Sequence, residues 1–154
     1  MRTIAKIDSP DIPFSTPSSK VIASNALEVR IGSVVGYEVF GYHFDTALPN
    51  TGPIPPKSGA ETTYTLRFKV TNYLNDLSGA RVTATLPTGV RYTGKKSPES
   101  DALSYNERTG QLIWDIGSMW GGGKSSREIA IQVAITPGPN EIGRSPKILL
   151  GSVF

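Results

Sequence analysis

Gly121-Gly122-Gly123-Lys124-Ser125 is the run closest to a phosphate-binding loop. Such a loop needs a glycine, four residues, then Gly-Lys-Ser at a strand-to-helix turn, where backbone N–H groups cradle the phosphate. Counting back from Gly123 places Ser118 where the first glycine belongs, and Gly117 falls one position too early. The residues that follow, 126–136, alternate with period two and predict a strand rather than a helix. A flexible inter-strand loop is the expectation here, with no nucleotide site.

His43 is the single histidine, flanked by Tyr42, Phe44 and Asp45. Metal sites need several ligands to converge, and hydrolytic use of a histidine needs a nucleophile, an orienting group and an oxyanion hole. Nothing in the sequence marks those companions, so His43 is expected to be a partly buried side chain with one hydrogen bond. Calcium is the ion best suited to the scattered oxygens of Asp8, Asp11, Asp45, Asp76, Glu99 and Asp101. No Asp-x-Asp-x-Asp spacing concentrates them, and no cofactor is expected. The chain holds no cysteine, which excludes disulfides, thiolate metal sites and cysteine nucleophiles. An enzyme is therefore not expected.

Aromatic residues carry the remaining chemistry. Trp120 precedes three glycines in the presumed loop, so an exposed ring there could stack on a sugar or anchor a protein contact. Trp120, Tyr73 and Tyr92 are the candidate partner-binding residues, with Trp120 and Tyr73 or Tyr92 expected to line one exposed face if the chain binds glycans. Tyr37, Phe40, Tyr42 and Phe44 form the densest aromatic stretch, and core filling is the expectation for Phe40 and Phe44.

These residues need a scaffold, and 154 residues are enough for one domain that buries a core without staples. The net charge is +3, with Lys95-Lys96 the largest basic knot, which is short for a nucleic-acid footprint. No stretch approaches the ~20 apolar residues of a membrane span. The N-terminus lacks the apolar core of a signal peptide. If the chain works outside a cell, it is expected to derive from a longer precursor.

Proline and glycine divide the chain. Residues 8–19 hold three prolines and four serines, so 1–19 is predicted to be an extended arm or linker. Prolines at 49, 53, 55 and 56 make 48–59 a second break. Between the breaks the apolar residues alternate: Tyr64, Leu66, Phe68, Val70; Val82, Ala84, Leu86; Leu112, Trp114, Ile116; and Ile129, Ile131, Val133, Ile135. On a strand these sets face a core while Thr65, Arg67, Lys69 and Gln132 face water. Leu27, Val29 and Ile31 alternate as well, and 34–44 is a strand candidate in which Gly36 and Gly41 suggest bulges or a bend. Shorter candidates lie at 21–23, 90–93 and 147–154. With no helical periodicity, the prediction is an all-β, immunoglobulin-like antiparallel sandwich of about seven to nine strands over 20–154.

The order Tyr64-Thr65, Val70-Thr71-Asn72, then Leu86-Pro87-Thr88-Gly89-Val90, then Trp114-Asp115-Ile116-Gly117 resembles the immunoglobulin-like repeat domains of unknown function in large bacterial surface proteins. The resemblance covers 61–136, the best supported part. The customary Asn-x-Gly turn is replaced by Asn72-Tyr73-Leu74-Asn75-Asp76, and Ala84 stands where an acidic residue is common. The resemblance implies a non-catalytic, extracellular stalk, spacer or adhesion unit on a bacterial cell surface. Its implied partners are neighbouring domains of the same surface protein or other surface proteins, with no nucleic acid and no membrane insertion. Two alternatives stay open: a carbohydrate-binding module of a secreted protein, and a self-assembling fibre or coat subunit using terminal strand exchange. The apolar tail 147–154 fits a final strand of this sandwich, a break in a longer array, or a strand donated to a neighbour.

Overall fold

The computed structural model describes residues 2–3, 6–8, 21–23, 27–28, 32–141 and 146–154. It divides the chain into two compact units, Met1–Gly32 and Ser33–Phe154. The boundary drawn between residues 19 and 20, and positions 29–31 of the first alternating segment, lie outside the described residues.

In the first unit four short strands pair antiparallel: β1 (Arg2–Thr3) with β4 (Leu27–Glu28), and β2 (Lys6–Asp8) with β3 (Val21–Ala23). The second unit is the sandwich anticipated from the alternation. One antiparallel sheet has the order β5 (Val35–Tyr42), β6 (Thr62–Asn72), β11 (Ser125–Ile135), β8 (Val90–Ser97). The other runs β12 (Gly151–Val153), β7 (Leu77–Thr85), β10 (Gln111–Met119), β9 (Ala102–Asn106). The chain crosses from sheet to sheet at five of its seven connections, so each sheet combines one hairpin, β5–β6 or β9–β10, with strands distant in sequence.

Alternation decides the core. Leu66, Phe68 and Val70 of β6 stand opposite Ile131, Ile129 and Arg127 of β11, and their apolar members meet Val82, Ala84, Leu112 and Trp114 of the other sheet. Each fully buried aliphatic side chain contributes about 1.5–3 kcal/mol, so the inward faces dominate the stability of the unit. The indole N–H of Trp114 donates to Asp101 Oδ2 at 3.0 Å, which satisfies the one polar group that this ring takes into the core.

Two features differ from expectation. Gly36 and Gly41 make no bulge, since β5 pairs with β6 in unbroken register from Val35↔Asn72 to Tyr42↔Thr65. The ladder shifts instead in β10 on either side of Gly117, whose φ of +74° suits glycine and whose N–H donates to Asp115 Oδ1.

The second difference is larger. Thr65 and Gln132 on the outer face of the first sheet were expected to meet water, yet both are buried, as are Thr63, Ala130 and Ala134 beside them. The connection 43–61 folds back over this face. Asn50 Nδ2 donates to Thr65 Oγ1, Thr51 N–H donates to Thr63 Oγ1, and Gln132 Nε2 donates to Pro49 O at 2.8 Å. Leu48 is buried with them. Proline-rich backbone lacks the N–H donors to pair its own carbonyls, and the Thr and Gln side chains of the sheet supply them.

Candidate functional site

Two groups of exposed aromatic residues stand out, one at an end of the sandwich and one on its outer face. Asn72, the last residue of β6, organises the end. It is fully buried, its Nδ2 donates to Asn75 O at 2.7 Å and Trp120 O at 3.1 Å, and its Oδ1 accepts from Ser33 Oγ. One amide thus ties the 73–76 turn, the 120–124 loop and the segment entering β5.

The 120–124 loop is held from further points. Gly122 N–H donates to Leu74 O at 2.6 Å, Gly121 N–H donates to Asp76 Oδ1, and Ser125 Oγ donates to Trp120 O. A Cβ on Gly121 would lie 2.4 Å from Leu74 O, so this close approach requires glycine. Two of the three glycine amides that a phosphate would need, those of Gly121 and Gly122, are therefore already engaged, and β11 rather than a helix follows. On this fixed backbone the Trp120 side chain is 80% exposed, over a cleft of about 290 Å³ lined by Leu77 and Met119.

Tyr73 lies at the same end, 43% exposed, with its ring against Gly36. Tyr92 lies elsewhere: it faces inward from β8 opposite Val133 and makes an edge contact with Tyr105 at 5.7 Å between ring centres. Burial, and secondarily the charge of Glu99, raises its phenol pKa. The structure thus brings Trp120 and Tyr73 to one end and sets Tyr92 into the packing between the sheets.

The second group corrects the core-filling expectation for Phe40 and Phe44. Phe40 and Tyr42 point outward from β5, opposite Arg67 and Thr65, and Phe44 is 87% exposed on the turn that follows. The inward positions of β5 are filled by Val35, Tyr37 and Val39. Both phases of this strand are apolar, and that double occupancy is the signal that one set had to remain outside.

His43 wedges between Phe44 and Tyr64, with ring centres 4.9 and 5.5 Å away, and its Nδ1 donates to Thr63 O at 3.2 Å. It anchors the turn. Beside it Asp45 is engaged on every side: Arg67 Nε and Nη2 reach its two oxygens at 2.6 and 3.0 Å, and the Ala47 and Leu48 N–H groups donate to Oδ1. Arg67 Nη1 also reaches Glu128. The Asp45 side chain is only 3% exposed, so this fork is the polar pin that holds the 43–61 connection down.

The Arg67 hydrogen bonds hold the Asp45 carboxyl below the ordinary carboxylate range, with burial opposing and the two backbone donors assisting. A depressed folded pKa adds stability that is complete above the unfolded value of about 3.9 and is lost as pH falls through the lower folded value. The stability gap between this chain and an Asp45→Asn variant is therefore expected to be constant from neutral pH to about 5 and to narrow below about 4. Urea midpoints across that range check it; a gap indifferent to pH would deny the pin its charge.

Among the described residues no three His, Asp or Glu side chains converge as metal ligands would. No helix among them is long and apolar enough to cross a membrane. No protein-family model matches the chain, and no curated protein matches it.

Proposed function

We propose that this chain is a non-catalytic immunoglobulin-like module of a bacterial cell-surface protein, acting as an adhesion unit more than as a bare spacer. The observation that carries the proposal is Trp120, an exposed indole on a backbone pinned by Asn72, Leu74 and Ser125. Binding energy concentrates in aromatic anchors, and it is lost when an anchor must be ordered at the moment of contact. Here the backbone beneath the ring is ordered beforehand, while the half-buried Leu77 offers apolar surface beside it. A spacer has no use for such an arrangement.

The partner would be a protein surface, either a neighbouring domain of the same surface protein or another surface protein. The motif order Val70-Thr71-Asn72, Leu86-Pro87-Thr88-Gly89-Val90 and Trp114-Asp115-Ile116-Gly117 supports the extracellular, surface-protein setting by resemblance.

Beads coated with the module test the contact. Trp120→Ala is expected to lower their adhesion to the parent protein's adjoining domains, or to cell-surface protein extracts, by tenfold or more. The melting temperature should stay unchanged, because the indole contributes little to the core. Equal adhesion by the variant and the parent chain would sink the proposal.

A further inference from the structure

The outer face of the first sheet carries a second, separate site. We infer that the cleft beneath Phe40, Tyr42 and Phe44 binds the pyranose rings of an uncharged glycan. This stands apart from the Trp120 contact and would survive its failure.

Three observations lead there. The first is ring geometry: Phe40 and Tyr42 are 44% and 41% exposed, with centres 6.3 Å apart and planes 32° from parallel, and Phe44 follows them on the turn after β5, its ring edge-on to His43 and otherwise open to solvent. Successive outward rings on a flat strand form a platform, and the C–H faces of sugar rings are the apolar surfaces that lie against such platforms. These rings are not core residues left over, because β5 already fills its inward positions with Val35, Tyr37 and Val39.

The second is charge. The cleft, about 400 Å³, is lined by two carboxylates, Asp45 and Glu128, and two cations, Arg67 and Lys69. Their formal charges cancel. Arg67 contacts Asp45 and Glu128 directly, and Lys69 stands opposite Glu128 of β11 and Glu38 of β5 in register. A phosphate, a uronic acid or a polycation would find no net field to meet it, whereas an uncharged polyol loses nothing by the balance.

The third is hydrogen-bonding capacity. Three of the five guanidinium N–H groups of Arg67 are engaged by Asp45 and Glu128, and two remain. Lys69 has no hydrogen bond or ion pair among the described residues, and Glu128 keeps acceptor capacity on its second oxygen. Donors and acceptors standing side by side on one sheet face suit the neighbouring hydroxyls of a pyranose, which can both donate and accept. Arg67 is already immobilised by Asp45, so little side-chain entropy is left to lose on binding.

The test is a titration of the isotope-labelled chain, followed by NMR, with neutral cello-, manno-, xylo- and galacto-oligosaccharides. Hyaluronan and alginate oligosaccharides form the acidic arm. Expected is saturable binding of at least one neutral series, with shifts confined to Phe40, Tyr42, Phe44 and the Arg67 Nε–H. Phe44→Ala should weaken it tenfold or more, and Trp120→Ala should leave it unchanged. Phe44 is nearly free of packing, so the variant should fold; Tyr42→Ala repeats the measurement if it does not. The inference is overturned if no neutral series binds, if the acidic series bind equally well, or if Phe44→Ala and Tyr42→Ala both leave affinity intact. A Phe44-dependent attachment to protein-coated beads without any glycan binding overturns it too.

Discussion

Replacing Trp114 with alanine is expected to remove about 3–5 kcal/mol of folding stability, the largest single loss available in the sandwich. The ring is 2% exposed, at the centre of β10, with Val82 of β7 on one side of it in register and Leu103 of β9 on the other. Its removal opens a cavity that two tightly laddered neighbours cannot collapse into. It also strips Asp101 of the indole N–H. A domain of this size has about 5–15 kcal/mol in all, so the variant should unfold at a much lower urea concentration. Trp114→Phe keeps most of the ring and drops the donor, and should lose roughly 1–2 kcal/mol. An alanine variant with the parent's midpoint would mean that the two sheets do not close over this ring.

The second large effect belongs to Asn72. Asn72→Ala is expected to lose about 2–4 kcal/mol, since it removes three hydrogen bonds of a fully buried amide together: those to the Asn75 and Trp120 carbonyls and the one from Ser33 Oγ. Its consequence for recognition is as telling as the loss of stability. The loop beneath Trp120 would keep its glycine contacts to Leu74 and Asp76 but lose the tie to β6, so the indole would have to be ordered on binding. Partner affinity should therefore fall several-fold under conditions where the variant is still fully folded, mostly through faster dissociation. Surface plasmon resonance below the unfolding transition separates the two effects. Unchanged dissociation would show that the loop stands without Asn72.

Why the inward faces were legible and the outer ones were not follows from particular residues. Leu66, Phe68 and Val70 announce a core because one-sided burial imprints itself on a strand as strict alternation. The sequence of β11 alternates in the same manner, and its Ile set faces inward as expected. Gln132 and Thr65, however, are polar by type and buried by placement. Their partners are the backbone carbonyls of Pro49 and Leu48, and no side-chain pattern encodes which sheet face a distant loop returns to.

Asn72 was visible as the end of a motif, but its task depends on three segments that meet only in the folded chain. The exposed state of Trp120 was readable from its three glycines, and that of Tyr73 from a turn. Phe40 and Phe44 show that apolarity alone does not secure burial, since Val39 beside Phe40 already claims the inward phase.

The folded-back connection 43–61 has one more consequence. Over Thr63–Thr65 and Ala130–Ala134 the molecule is three layers thick, since the β6–β11 ladder has the opposing sheet on one side and the connection on the other. Amide protons there can reach solvent only if a whole layer lifts, so this ladder of eleven pairs is the last part to breathe. β12 is the reverse case, joined to β7 by three pairs with Gly151 and Val153 exposed. The same unit therefore joins a rigid plate to an edge that opens cheaply, and its local free energies of opening descend from one to the other.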